Sequence, residues 1–246
     1  MSQLAMVIDL KRCVGCHACA IACRAEWGIP VAYKRNWVHR LGPEKTPHGL
    51  SYTFYPGLCN HCDDPKCVSV CPVDPEERTF KDPKTGKTKK MAVHATFKHP
   101  FTGAVLIDKS RCIGCGSCVE ACPYGARYLN EDLDDPKADK CTFCVERLEV
   151  GEQPACVKTC ITKARIFGDL SDKSSEVHKI VASGKAVRLT SKEVNIGPNV
   201  YYTGLKRDTY LLIQKCAPHE RKWENVKAPT RRDVILAAVR RLKTAV

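Results

Sequence analysis

Cysteine dominates the chemistry open to this sequence. Seventeen cysteines occur in 246 residues, and sixteen of them fall into four tight runs. The first run is Cys13-x2-Cys16-x2-Cys19-x3-Cys23, and the third is Cys112-x2-Cys115-x2-Cys118-x3-Cys122 followed by Pro123. The second is Cys59-x2-Cys62-x4-Cys67-x3-Cys71-Pro72, and the fourth is Cys141-x2-Cys144-x11-Cys156-x3-Cys160. Disulfide partners need Cβ atoms facing each other across about 4 Å, a condition that neighbours in packed runs rarely meet. Disulfide-dense secreted scaffolds are also much shorter chains. Thiolate ligation of a metal centre is the better reading.

A cubane iron–sulfur cluster presents four corners, each requiring one thiolate. A C-x2-C-x2-C loop can wrap three of them with one short stretch of backbone, whose amides can also point at sulfur. The fourth cysteine, three residues further on, points away and ligates the other cluster in two-cluster ferredoxins. The third run matches the bacterial ferredoxin signature in full, and the first departs only in having Arg24 where proline is expected. Zinc is the competing metal, but its structural sites use two separated cysteine pairs, a form that only the fourth run has. The sixteen cysteines therefore predict four [4Fe–4S] clusters. No run lacks a ligand, so His17 and His61 read as loop histidines; the alternative is a place beside a cluster that tunes its potential. Cys216 stands outside the runs and reads as a free thiol, and no catalytic residue emerges.

The elements that deliver these runs repeat. Val7, Ile8, Asp9 and Arg12 precede the first run as Leu106, Ile107, Asp108 and Arg111 precede the third, and Gly15 aligns with Gly114. Each β-branched lead-in predicts a short strand feeding a ligand loop. The second and fourth runs share the closing pattern Pro65-x-Cys67-Val68-x2-Cys71 and Pro154-x-Cys156-Val157-x2-Cys160. The order is thus A, B, A, B, an internal duplication. Residues 52–55 predict a strand, and residues 81–90, with five lysines, a solvated hairpin tip. Gly86-Lys87-Thr88 is no phosphate loop, because Lys81 stands where that motif needs glycine. Beyond Cys160, residues 200–203 and 210–213 predict strands. Pro229 opens an expected amphipathic helix with Val234, Ile235, Ala238 and Leu242 on one stripe and arginines opposite. That helix reads equally as packed on its own domain, on a partner or on an anionic membrane.

The formal charge of +13 looks like a nucleic-acid or membrane signal. Sixteen ligating thiolates and four oxidised cluster cores lower it to about +5, which removes the main support for nucleic-acid binding. The apolar run near the C-terminus that includes residues 235–239 is far short of the ~20 residues of a membrane span. Residues 1–6 carry no twin arginine and no long apolar stretch, so no secretory leader is expected within this sequence.

Four cysteine groups in this order, with a wide fourth group, resemble the four-cluster ferredoxin-like subunit of the dimethyl-sulfoxide-reductase superfamily of molybdopterin enzymes. The resemblance rests on Cys59-Asn60-His61-Cys62 with Pro65 and Cys67, and on Cys112-Ile113-Gly114-Cys115. It continues through Lys140-Cys141-x2-Cys144, Arg147, Gly151, Pro154-Ala155-Cys156 and Cys160 to Phe167-Gly168-Asp169. It implies an α+β fold of two ferredoxin-like [4Fe–4S] modules with loop-rich insertions and a C-terminal extension. Residues 1–58 and 123–170 would form one half, 59–122 the other and 171–246 the extension. The implied ligand sets are Cys13, Cys16, Cys19 with Cys160, and Cys141, Cys144, Cys156 with Cys23. The inner pair would be Cys59, Cys62, Cys67 with Cys122, and Cys112, Cys115, Cys118 with Cys71. The repeat alone also permits the first run to pair with the second, although only the second and third end in Cys-Pro.

The resemblance further implies an electron-transfer subunit, not an enzyme by itself and with no small-molecule substrate of its own. It would sit peripherally in a membrane-associated complex, on either face. Its partners would be a molybdopterin catalytic subunit and an integral membrane subunit that exchanges electrons with quinone. The same architecture could serve a hydrogenase or a formate dehydrogenase.

The purified protein is expected to be brown, with broad visible absorption and acid-labile sulfide; a colourless protein carrying zinc would refute the cluster reading.

Overall fold

The computed structural model describes residues 2–131, 133–190, 195–205 and 207–214. Strand β1 (Leu4–Asp9) lies in the middle of a sheet because its apolar run is covered on both faces. Met6 and Ile8 join the main core with Trp37, Tyr55, Leu58 and Phe143, whereas Ala5 and Val7 pack on Val177 and Tyr201. A strand buried on both sides reads as continuous rather than alternating apolar residues, as this one does.

Helix α1 (Ala18–Trp27) carries the last two cysteines of the first run and stops at Gly28, whose left-handed backbone lets its amide return to the Arg24 carbonyl. Strands β2 (Asn36–Thr46) and β3 (Gly49–Leu58) form a long hairpin, with residues 52–55 inside β3 as the sequence predicts. Helix α2 (Lys66–Ser69) carries Cys67. Strands β4 (Glu76–Lys81) and β5 (Thr88–Val93) make the lysine-rich hairpin, and β6 (Thr96–Lys98) pairs with β7 (Val105–Ile107), the lead-in to the third run. Helix α3 (Ser117–Glu120) carries Cys118. Strands β8 (Arg127–Asn130) and β9 (Lys137–Lys140) then pair and deliver the polypeptide to the fourth run, where α4 (Val145–Glu149) and α5 (Ala155–Lys158) follow.

The chain next returns to its start. Strand β10 (Arg165–Asp169) pairs antiparallel with β1, from Leu4 opposite Asp169 to Ile8 opposite Arg165. Helix α6 (Glu176–Ala182) covers the sheet, β11 (Val187–Arg188) and β12 (Val200–Thr203) extend it, and β12 runs parallel to β1. The strand expected at 200–203 is therefore present. Residues 210–213 are not a strand: they belong to helix α7 (Arg207–Gln214). A short apolar run cannot distinguish the two, and here Thr209, Leu212 and Ile213 are buried at the i, i+3, i+4 spacing of a helix face. Cys216 and the helix expected after Pro229 lie outside the described residues.

The hairpin tip is polar and exposed but also anchored. Asp82 accepts from the Lys84 amide and the Thr85 hydroxyl to close the turn, and Lys84 reaches Asp169 at 2.6 Å. Phe80, beside the tip, and Val93, at the base of the hairpin, form a small separate core with Phe97. Truncation by Phe80→Ala should cost about 3 kcal/mol locally. Limited trypsin digestion at the lysines between positions 81 and 90 should accelerate while iron content holds; an unchanged digestion rate would refute this account of the hairpin.

Candidate iron–sulfur centres

None of the sixteen run cysteines is in a disulfide, and the fold gathers twelve of them around hollows that each draw on two runs. Cys23, Cys141, Cys144 and Cys156 line a small hollow walled by Met6, Trp27, Leu58 and Phe143. Cys59, Cys62, Cys67 and Cys122 line a second, beside His61, Val105 and Ile196. Cys71, Cys112, Cys115 and Cys118 line a third against Pro72, Ile107 and Ala138. Cys13 lies within electrostatic reach of Cys19 and Cys160, and Cys16 is exposed on the same loop. Among the described residues no group of three or more His, Cys, Asp or Glu could hold a single metal ion. Four thiols around a hollow suit a larger inorganic core with one thiolate at each corner.

The C-x3-C ends of the runs explain the mixing. Cys19 and Cys23 lie one helical turn apart on α1, so they face the same way but reach different groups. Cys156 begins the matching turn on α5, which packs on α1. The turns at Cys67–Cys71 and Cys118–Cys122 do the same where α2 packs on α3.

The loops share a backbone device. The residue before the second cysteine is left-handed in every run: Gly15 at φ 67°, His61 at 45°, Gly114 at 70° and Phe143 at 59°. Left-handed backbone suits glycine and strains other residues. The two exceptions meet each other, since the His61 and Phe143 rings stack with centroids 3.6 Å apart. At Gly114 there is also no room, because an added Cβ would lie 2.3 Å from the Pro136 carbonyl oxygen. Backbone amides point at sulfur, with Ala126 N–H donating to Cys122 Sγ at 3.4 Å and Ala164 N–H to Cys160 Sγ at 3.2 Å.

Comparison with known proteins points to the same iron–sulfur chemistry. The 4Fe-4S dicluster domain family matches residues 50–170, and a 4Fe-4S binding domain matches residues 10–26. A tetrathionate reductase subunit from Salmonella typhimurium is 39% identical over 205 residues, covering 82% of this chain and 73% of the relative. A polysulfide reductase polypeptide from Wolinella succinogenes is 38% identical over 204 residues, covering 82% and 94%. The thiosulfate reductase electron transfer subunit from Salmonella typhi is 38% identical over 189 residues, covering 76% and 85%. This chain is a member of the iron–sulfur electron-transfer subunits of the dimethyl-sulfoxide-reductase superfamily.

Burial dominates the electrostatics of this iron–sulfur subunit. It pushes the Cys23 thiol up to about 12, with Cys156 and Cys144 adding to the shift. Cys67 and Cys156 rise to about 11 for the same first reason. Cys160 goes the other way: burial raises it, but the amides of Arg165 and Ala164 outweigh that. A buried thiolate is therefore costly unless cations, amides or a bound metal centre share its charge. Burial likewise holds His61 well below the usual histidine range, assisted by Lys140 and Arg127, so its ring is neutral.

His61 is not a solvated loop residue; it is fully buried, and its Nδ1 accepts from the Val105 amide at 3.0 Å. His17 is exposed in its loop. Several site residues escaped the sequence reading. Asn199 is fully buried and clamps the second run, donating to the His61 carbonyl and to Asp63, both at 2.8 Å. Arg127 and Arg165 stand at matching places, Cys122-x3-Ala126-Arg127 and Cys160-x3-Ala164-Arg165, a repeat that was available in the sequence.

The glycine geometry makes a comparison possible. Gly114→Ala should displace the third-run loop and lower the iron bound per chain. Gly116→Ala, with φ 78° but nothing within 4 Å of the added carbon, should retain it. Equal iron in the two variants would show that the Pro136 contact is unimportant.

Proposed function

We propose that this subunit holds four [4Fe–4S] clusters and carries electrons between a molybdopterin-containing catalytic subunit and a quinone-linked membrane subunit. The observation that supports it best is the gathering of the cysteines. Three hollows are each lined by three cysteines of one run and one of another. On this reading Cys13, Cys16, Cys19 and Cys160 form the first ligand group and Cys23, Cys141, Cys144 and Cys156 the second. Cys59, Cys62, Cys67 and Cys122 form the third group, and Cys71, Cys112, Cys115 and Cys118 the fourth. When bound, each cluster supplies a one-electron redox centre.

The protein's part is position and environment. The α1–α5 contact joins the first group to the second, the His61–Phe143 stack joins the second to the third, and the α2–α3 contact joins the third to the fourth. The middle of this series is buried. Its ends are open: Cys16 and Cys115 are exposed, flanked by exposed Val14 and Ile161 at one end and Ile113 and Val70 at the other. Such ends suit contact with two redox partners, and a central stretch closed to solvent suits transfer between them.

The same grouping divides the protein into a half of residues 1–58 and 123–170, a half of 59–122 and an extension from 171. The β1–β10 pairing supports the first half by tying residue 4 to residue 169. Among the described residues no helix is long and apolar enough to cross a membrane, which is compatible with a peripheral place in the complex. A relative named as the electron transfer subunit of thiosulfate reductase agrees with chemistry carried by another polypeptide.

The test uses the intact complex. The wild-type chain should contain about sixteen iron atoms, four per cluster. Cys19→Ser should perturb one cluster signal in electron paramagnetic resonance and reduce quinone-linked turnover more than tenfold, while the catalytic partner's turnover with artificial dyes persists. Unimpaired quinone-linked turnover would overturn the proposal.

A further inference from the structure

Three cations lie in the interior of this chain without a carboxylate. Arg165, Lys140 and Arg127 are 3%, 1% and 4% exposed. Among the described residues none of them has an acidic side chain within ion-pair distance. Arg35, equally buried, shows the usual solution, a two-pronged pairing with Asp139 at 2.9 and 2.7 Å. An unpaired buried charge is too costly to persist, so a counter-charge must be supplied by something else.

Their neighbours identify it. Arg165 donates to Asn36 and to the Met6 sulfur, both of which line the second group's hollow, and Asn36 in turn donates to the Cys19 carbonyl, so Arg165 lies between the first and second cysteine groups. Lys140 donates to the carbonyl of Cys141, in the second group, and to that of Val105, which lines the hollow of the third. Arg127 lines that same hollow with Cys59 and Cys67 and donates to Thr96, which lines the hollow of the fourth. The backbone fixes this order. Arg127 and Lys140 face each other across β8 and β9, and Arg165 opens β10 opposite Ile8 of β1. All of these hydrogen-bond partners are neutral atoms.

We propose that Arg165, Lys140 and Arg127 are positioning residues, one in each gap of the four-group series, and that each compensates the anionic groups on both sides of its gap. Resting on the ligand grouping proposed above, this assigns the cations to the tuning of neighbouring pairs of centres. A four-thiolate cluster becomes more negative on reduction, so a fixed cation stabilises its reduced state and raises its potential. It also weakens the repulsion between two adjacent reduced centres.

The test is a potentiometric titration of the intact complex, followed by electron paramagnetic resonance. Lys140→Met should move two of the four waves to lower potential and leave two in place. Arg165→Met and Arg127→Met should each move a pair, with no wave in common, and each pair should share one wave with that of Lys140→Met. Lys140→Arg should restore the wild-type pattern. Four unmoved waves at full iron content, or four waves displaced alike, would overturn the proposal. Equal loss of iron from Lys140→Met and Lys140→Arg would also overturn it, because shape and not charge would then be required. Loss of iron from Lys140→Met alone would support it. Fewer than four clusters in the wild-type chain would instead refute the ligand grouping.

Discussion

Four thiols must face one point, yet a short loop can bring only three there. The helical turn between the last two cysteines of each run resolves this. Residues i and i+4 sit side by side on a turn, so Cys19 and Cys23, or Cys156 and Cys160, lie close together yet face separate groups. Each of the three hollows is thereby completed by a residue from a distant run, and neighbouring hollows are linked by one helical turn rather than by flexible loops. The packing of α1 on α5 and of α2 on α3 follows from the same requirement.

The interior is unusual in its charges. Cores normally exclude cations or pair them with carboxylates, and Arg35 with Asp139 obeys that rule. Three other cations do not, and they alternate with groups of buried thiols whose own ionisation burial disfavours. Thiolates and cations are each unfavourable in isolation, but together they form a balanced interior once metal centres are bound. Part of the formal charge of +13 is thus internal compensation rather than a surface for polyanions.

The remainder of the fold holds this interior in register. Strands β10 and β12 flank the N-terminal strand β1, so that the start and the later part of the chain share one sheet. Ile196 reaches the hollow of the third group, and Asn199 holds the second-run loop by its carbonyl. The lysine-rich hairpin is a polar surface feature, joined back to the sheet by Lys84 and Asp169.

The sequence by itself determined the kind of chemistry, because thiolate ligation is written in local spacing. It also determined the lead-in strands before the first and third runs, the strand at 52–55, the polar hairpin tip at 81–90 and the strand at 200–203. Each of these depends on patterns a few residues long. Tertiary structure decided what depends on distance in space. It made residues 207–214 a helix, since burial at helical spacing outweighs the ambiguity of a short apolar run. It placed His61 on Phe143, where a stacked partner offsets a left-handed backbone that sequence alone assigns to glycine. It also brought Arg127, Lys140 and Arg165 between the thiols. No local pattern reports that an arginine is buried without a carboxylate, because the missing partner becomes visible only when the whole polypeptide has packed around it.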